Sequence, residues 1–150
     1  MKFRITVIFA LFLSICLMVL AGQNNLMKQI TPAVTSIAAN STNTAKGTDF
    51  FFGQGIPESI TFYGRAKGAN ASATNNVIIR LERYNGTNWS SAAQSFTVLT
   101  LPMTGATTNQ VDDFFHCPGV FGFRVGQIEN QCSVAVSNIE VWATYTSKEP

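Results

Sequence analysis

The chain has 150 residues, with ten Lys and Arg, eight Asp and Glu and a single His, for a formal charge of +2. Arg65, Lys67, Arg80, Arg83 and Arg124 are interleaved with Glu58, Glu82 and Glu129. That spread argues against nucleic-acid binding, which works by neutralising phosphates from a concentrated basic face. Surface polarity comes from Asn, Thr, Ser, Gln and Gly, a composition that suits β-rich extracellular modules and their turns.

Lys2 and Arg4 precede an apolar run over residues 5–20, and Ala21 and Gly22 follow. A basic start, an apolar middle and a small-residue exit predict a secretory signal over 1–21. The run is just short of the ~20 apolar residues of a comfortable membrane span, so an uncleaved anchor over residues 5–22 is the alternative. In either case the rest of the chain is exported, as a secreted or cell-surface protein. Gln23 stands where a lipid-bearing Cys would be, which argues against lipidation. Without Lys2 and Arg4 the chain holds eight basic residues against eight acids and is formally neutral.

Residues 22–47 read as a flexible arm or edge strand. A weak strand over 29–38 could turn Ile30, Val34 and Ile37 to a core, although Pro32 interrupts it. The domain proper spans 48–150. An aromatic run over 49–52 stops at a Gly53-Gln54-Gly55 turn. Residues 59–66 alternate, with Ile60, Phe62, Gly64 and Ala66 on one face and Tyr63 and Arg65 on the other. Val77, Ile79 and Leu81 mark a second half-buried strand.

Residues 84–89 form a tight turn around Asn85-Gly86, followed by a strand over 95–101 closed by Pro102. A short strand is expected over 111–115. Another is expected over 120–128, with Phe121, Phe123 and Val125 on its inner face. In the last strand, Val134 and Val136 face the core from even positions, then Ile139, Val141, Ala143 and Tyr145 from odd ones. Such a change of parity across Ser137-Asn138 is what a bulge produces. Seven or eight short strands without a helical period predict a single all-β sandwich of jelly-roll or Greek-key type.

The block Val77-Ile78-Ile79-Arg80-Leu81-Glu82-Arg83-Tyr84-Asn85-Gly86-Thr87-Asn88-Trp89, then Gly119-Val120-Phe121-Gly122-Phe123-Arg124-Val125 and the valine-rich last strand, resembles small phage-associated and galactose-binding-like β-sandwiches. The resemblance covers residues 59–145. It implies a jelly-roll fold and, more distantly, a virion accessory role. The export signal, and Asn85 where that pattern carries Asp, depart from it.

The residues that could carry chemistry are few. Cys117 and Cys132 remain after export and either bond in an oxidising compartment or stay free or pair between molecules. If residues 120–128 and 133–145 form a hairpin turning near Asn130, the two cysteines sit at its opposite ends, too far apart to bond. His116 lies among Asp112, Asp113 and Cys117, but zinc wants four ligands with paired spacing, and adjacent strand residues point to opposite faces. No Gly-x-Ser-x-Gly elbow occurs. Glu58, Glu82, Asp112, Glu129 and Glu140 are the acids that could meet in space. The expectation is a non-enzymatic module without metal or cofactor.

Aromatic side chains offer the better lead. Trp89 and Tyr84 flank the turn, and Tyr63 and Trp142 face away from the inferred core; each could stack on a sugar ring or anchor a protein. The alternative for Trp89 is that it folds back to cap the sandwich. Asn40, Asn70, Asn85 and Asn88 begin glycosylation sequons. The expected partners are another protein or a second copy, through donation of the N-terminal arm to a neighbour's sheet edge, or a glycan.

Overall fold

The computed structural model describes residues 24–52, 57, 59–91, 97–116 and 119–147. The segment expected to be a signal, the turn expected at 53–55, Glu58 and Cys117 lie outside the described residues. The strands are β1 (Asn24–Ile30), β2 (Ser41–Asn43), β3 (Phe50–Phe51), β4 (Ser59–Gly68), β5 (Asn76–Tyr84), β6 (Thr97–Pro102), β7 (Thr108–His116), β8 (Gly122–Asn130) and β9 (Val136–Ser147). Sheet one has the order β1-β9-β4-β7 and sheet two the order β2-β8-β5-β6, with β3 also on β8. Every pairing is antiparallel. The chain passes from sheet to sheet at nearly every connection, which is jelly-roll wrapping.

Period-two alternation builds the core. Ile60 and Phe62 of β4, Val77, Ile79 and Leu81 of β5, and Val141 and Ala143 of β9 are all buried between the sheets. Phe62 meets Phe123 across the core edge-to-face at 4.8 Å, and Phe52 meets Tyr145 at 5.0 Å. Gly64 holds the inward position where Leu99 and Leu101 of the other sheet come closest. A Cβ there would lie 3.2 and 3.3 Å from their Cδ1 atoms.

Two bulges interrupt the ladders. The change of parity in the last strand coincides with the first: Arg65 pairs with Glu140, but Lys67 pairs with Ser137, and Asn138 takes a left-handed φ of 52°. The second lies between β5 and β8, where Arg80 pairs with Gln127 but Leu81 with Val125, leaving Gly126 as the extra residue.

Several expectations are corrected. Residues 120–128 and 133–145 make no hairpin: β8 belongs to sheet two and β9 to sheet one, and the segment between them crosses the sandwich. The strand near the N-terminus covers Asn24–Ile30 rather than 29–38, because Pro32 has no N–H for a ladder. It runs in seven-residue register along β9, with Ile30 fully buried, while Ile37 makes a separate bridge to Val136. Phe121 precedes β8 and is 40% exposed instead of facing the core. The strand at 111–115 is longer than expected and runs from Thr108 to His116.

Candidate functional site

Each sandwich has two outer faces, and the four aromatic residues singled out above divide between them. Tyr63 and Trp142 are direct partners on β4 and β9 and point outward from sheet one. Register extends this pair into a row of Gln29, Trp142, Tyr63 and Asp112 across all four strands. On one side lies the row Met27, Thr144, Thr61 and Phe114, and on the other Glu140, Arg65 and Gln110. Five large hydrophobic side chains are exposed among the described residues, and three of them, Met27, Tyr63 and Phe114, are on this face. Side chains two apart on a strand, and opposite one another on neighbours, are the ones a sheet brings together.

A cleft of about 260 Å³ opens here, lined by Met27, Tyr63, Arg65, Gln110, Asp112 and Trp142, with Gly64 and Val111 in its floor. One side of it is held by a polar network. Arg65 Nη2 donates to Glu140 Oε2 at 2.7 Å, and the Trp142 indole N–H donates to the same oxygen at 3.2 Å. The hydrogen bond from Arg65 is the main influence that holds the Glu140 carboxyl below its ordinary range; slight burial opposes it, and Trp142 adds to it.

Trp89 and Tyr84 lie instead on sheet two, at the end of β5. Their rings are 5.2 Å apart, Phe51 sits 5.4 Å from Tyr84 and 5.8 Å from Trp89, and the Arg124 guanidinium stacks on Trp89 at 4.3 Å. The turn itself is rigid: Asn85 Oδ1 accepts from the N–H of Thr87 and Asn88 at 3.0 and 2.8 Å, and Tyr84 Oη donates to the Gly86 carbonyl at 2.9 Å. Trp89 is therefore half-buried and covers the end of the sheet.

Beneath that cluster is a feature that alternation did not reveal. Glu82 points outward from sheet two, yet is only 2% exposed. Lys46 Nζ donates to its Oε1 at 2.5 Å and to the Gly126 carbonyl at 3.1 Å, and Arg124 Nε donates to its Oε2 at 2.8 Å. Asp49 pairs with Arg124 at 3.4 Å from the opposite side. Burial pushes the Glu82 carboxyl up, and the hydrogen bonds and charges of Lys46 and Arg124 together outweigh it, so the group is held below its ordinary range.

Among the described residues the remaining candidates do not converge. Asp112 and Glu140 are on the face of sheet one, Glu82 and Glu129 on that of sheet two. His116 pairs with Ser59 at the end of β7, and Asp113, whose Oδ1 accepts from the Phe114 N–H at 2.8 Å, points to the opposite side of the strand from Asp112. Cys132 is a free, fully buried thiol at 3.4 Å from the Asn75 carbonyl. Met27, Arg65 and Gln110 escape the sequence as site residues, and Glu140 stands there only as an acid, because only the register brings them beside Tyr63 and Trp142. The one sequence signal for them is parity, since Tyr63 and Arg65, like Glu140 and Trp142, are two apart.

No family model matches the chain, and no curated protein matches it. Solved structures do. Dimeric latent PorU from Porphyromonas gingivalis superposes with a TM-score of 0.51 at 9% identity over 85% of this chain, which corresponds to only 13% of PorU. The PRD1 vertex protein P5 matches with a TM-score of 0.45 at 16% identity, over 85% of this chain and 99% of that one. A third similarity is to the CBM22-1-GH10 modules of the Clostridium thermocellum xylanase 10B, complexed with xylohexaose, at 0.44 and 9% identity, over 84% of this chain and 25% of that one. At these identities the likeness concerns the fold.

Proposed function

We propose that the chain is an exported, non-enzymatic binding module, and that the outer face of sheet one is the surface that meets its partner outside the cell. The observation that carries this reading is the gathering of Met27, Tyr63, Phe114, Trp142 and Arg65 on one solvent-facing sheet around a cleft. Tryptophan, tyrosine and arginine are the residues that dominate binding energy at protein surfaces. The signal expected over residues 1–21 supports an extracellular setting, and a composition rich in Asn and Thr suits it.

Two further observations support the reading. Among the described residues the carboxyls best enclosed by the fold, Glu82 and Glu140, are both shifted toward ionisation, whereas a general acid needs the opposite shift. Self-assembly through the N-terminal arm would exchange β1 between copies. With β1 in register on its own β9, the face is complete within one chain.

The test is to probe arrays of glycans and of purified extracellular proteins with the wild-type chain, a Tyr63→Ala/Trp142→Ala double variant and Trp89→Ala. The expected result is a set of hits that disappears in the double variant and survives Trp89→Ala. Hits that follow Trp89 instead, or none for any form, would reject the assignment.

A further inference from the structure

We infer that the cleft between Tyr63 and Trp142 is a binding site for a neutral glycan, with one pyranose ring lying against the two aromatic side chains. This inference rests on the reading of sheet one as the partner surface and names the ligand class for it. The volume of about 260 Å³ falls just below the usual range for drug-sized pockets, which suits a single rigid ring better than a folded segment of chain. A sugar ring presents an apolar C–H face to an aromatic plane and hydroxyls around its rim. The cleft offers aromatic walls with polar groups at one margin, in Arg65, Gln110 and Asp112.

The hydrogen-bonding balance decides between ligands. The indole N–H of Trp142 is already donated to Glu140 Oε2, and so is an N–H of Arg65. A proline-rich peptide brings carbonyl acceptors but no N–H at its prolines, so it would leave the Asp112 carboxylate without a donor. The lining keeps acceptors in the Asp112 carboxylate and the Gln110 amide oxygen and donors in the remaining Arg65 N–H groups, the Gln110 amide and the Tyr63 hydroxyl, so the ligand that fits both donates and accepts, as hydroxyls do. Charge sharpens the choice. Arg65 is neutralised by Glu140, and Asp112 adds an anion, which disfavours phosphate-bearing ligands; a cationic peptide would meet the Arg65 guanidinium in the same wall.

The site is also built in advance. The Arg65–Glu140–Trp142 network holds the indole through a hydrogen bond made two residues away on the same strand face, so little rotamer freedom remains to be lost on binding. Glu140 and Arg65 are thus positioning residues for Trp142.

The experiment uses the purified full-length chain carrying Trp89→Phe, which leaves Trp142 as the one tryptophan of the original two. It is titrated with cellohexaose, xylohexaose, chitohexaose and mannohexaose, and in parallel with decaproline and hexalysine, reading tryptophan fluorescence and calorimetry. The expected result is saturable binding of at least one glycan. Trp142→Ala should weaken it tenfold or more and Asp112→Ala severalfold, with Trp142→Phe retaining most of the affinity. Asp112 is exposed, so its variant reports on the site even if Trp142→Ala fails to fold. A response to a peptide but to no glycan, lost in Trp142→Ala, would overturn the glycan assignment and leave the sheet-one surface standing. Glycan binding indifferent to Trp142 and Asp112 would place the site elsewhere. No response to any probe would overturn the inference itself.

Discussion

Glu82 shows how much a single residue can depend on its neighbours. On β5 it occupies a position that alternation assigns to solvent, and its surroundings make it a buried anion with two cations. Removing one partner of a buried ion pair costs more than the pair contributes, because the remaining charge stays desolvated. Arg124→Met is expected to destabilise the protein by about 3 kcal/mol in urea unfolding, since the guanidinium is largely enclosed and also stacks on Trp89. Lys46→Met should cost about 1 kcal/mol, as the lysine side chain is 43% exposed and water can replace part of its role. The pH dependence has a definite sign. A carboxyl whose folded pKa lies below its unfolded value of about 4.3 contributes stability above that value and loses it as pH falls through the folded pKa. Melting curves between pH 5 and pH 2.5, roughly the range over which such a carboxyl protonates, should therefore fall more steeply for the wild type than for Glu82→Gln. Parallel curves would mean that Glu82 has no part in acid unfolding.

Strands were the most legible elements because their period survives in the residue order. Ile60, Phe62, Val77, Ile79, Leu81, Val141 and Ala143 could be placed by alternation alone, and all are buried. The bulge at Asn138 was equally visible, as a change of parity. The bulge at Gly126 was not, because glycine has no side chain to assign to either face. Its role is plain once Glu82 is placed. A Cβ on Gly126 would lie 2.5 Å from Glu82 Cγ, so the absence of a side chain is what lets the carboxylate reach its two cations. Gly126→Ala is expected to cost about 2 kcal/mol through that overpacking. Asn138→Gly, at a left-handed φ of 52°, should be nearly neutral, whereas Asn138→Val should cost about 1–2 kcal/mol. Thermal unfolding of the three variants would check this order, and an unperturbed Gly126→Ala would show that Glu82 can shift without loss.

Register and sheet membership are properties of the whole molecule, and they were the least legible from residue order. Residue order turns Tyr63 and Trp142 away from the core and sets Tyr84 and Trp89 beside a turn, but only the wrapping sends the first pair to one outer face and the second to the other. The hairpin expected near Asn130 failed for the same reason, since a short polar connection can cross between sheets as readily as it can reverse along one. Where β1 sits is the part of this wrapping with the greatest consequence. It forms the edge of sheet one beside the cleft and contributes Met27 to its lining, so a β1 seated on its own chain gives every copy a complete site. A β1 donated to a neighbour would instead make each site a joint product of two chains. Met27 and Thr144 are direct partners in the β1–β9 register. In a Cys117→Ser background, Met27→Cys with Thr144→Cys is therefore expected to close an intramolecular bond under oxidation, and the protein should migrate as a monomer on a non-reducing gel at all concentrations. Covalent dimers or ladders that grow with concentration would show that β1 is exchanged between copies, and that binding at the sheet-one cleft depends on assembly.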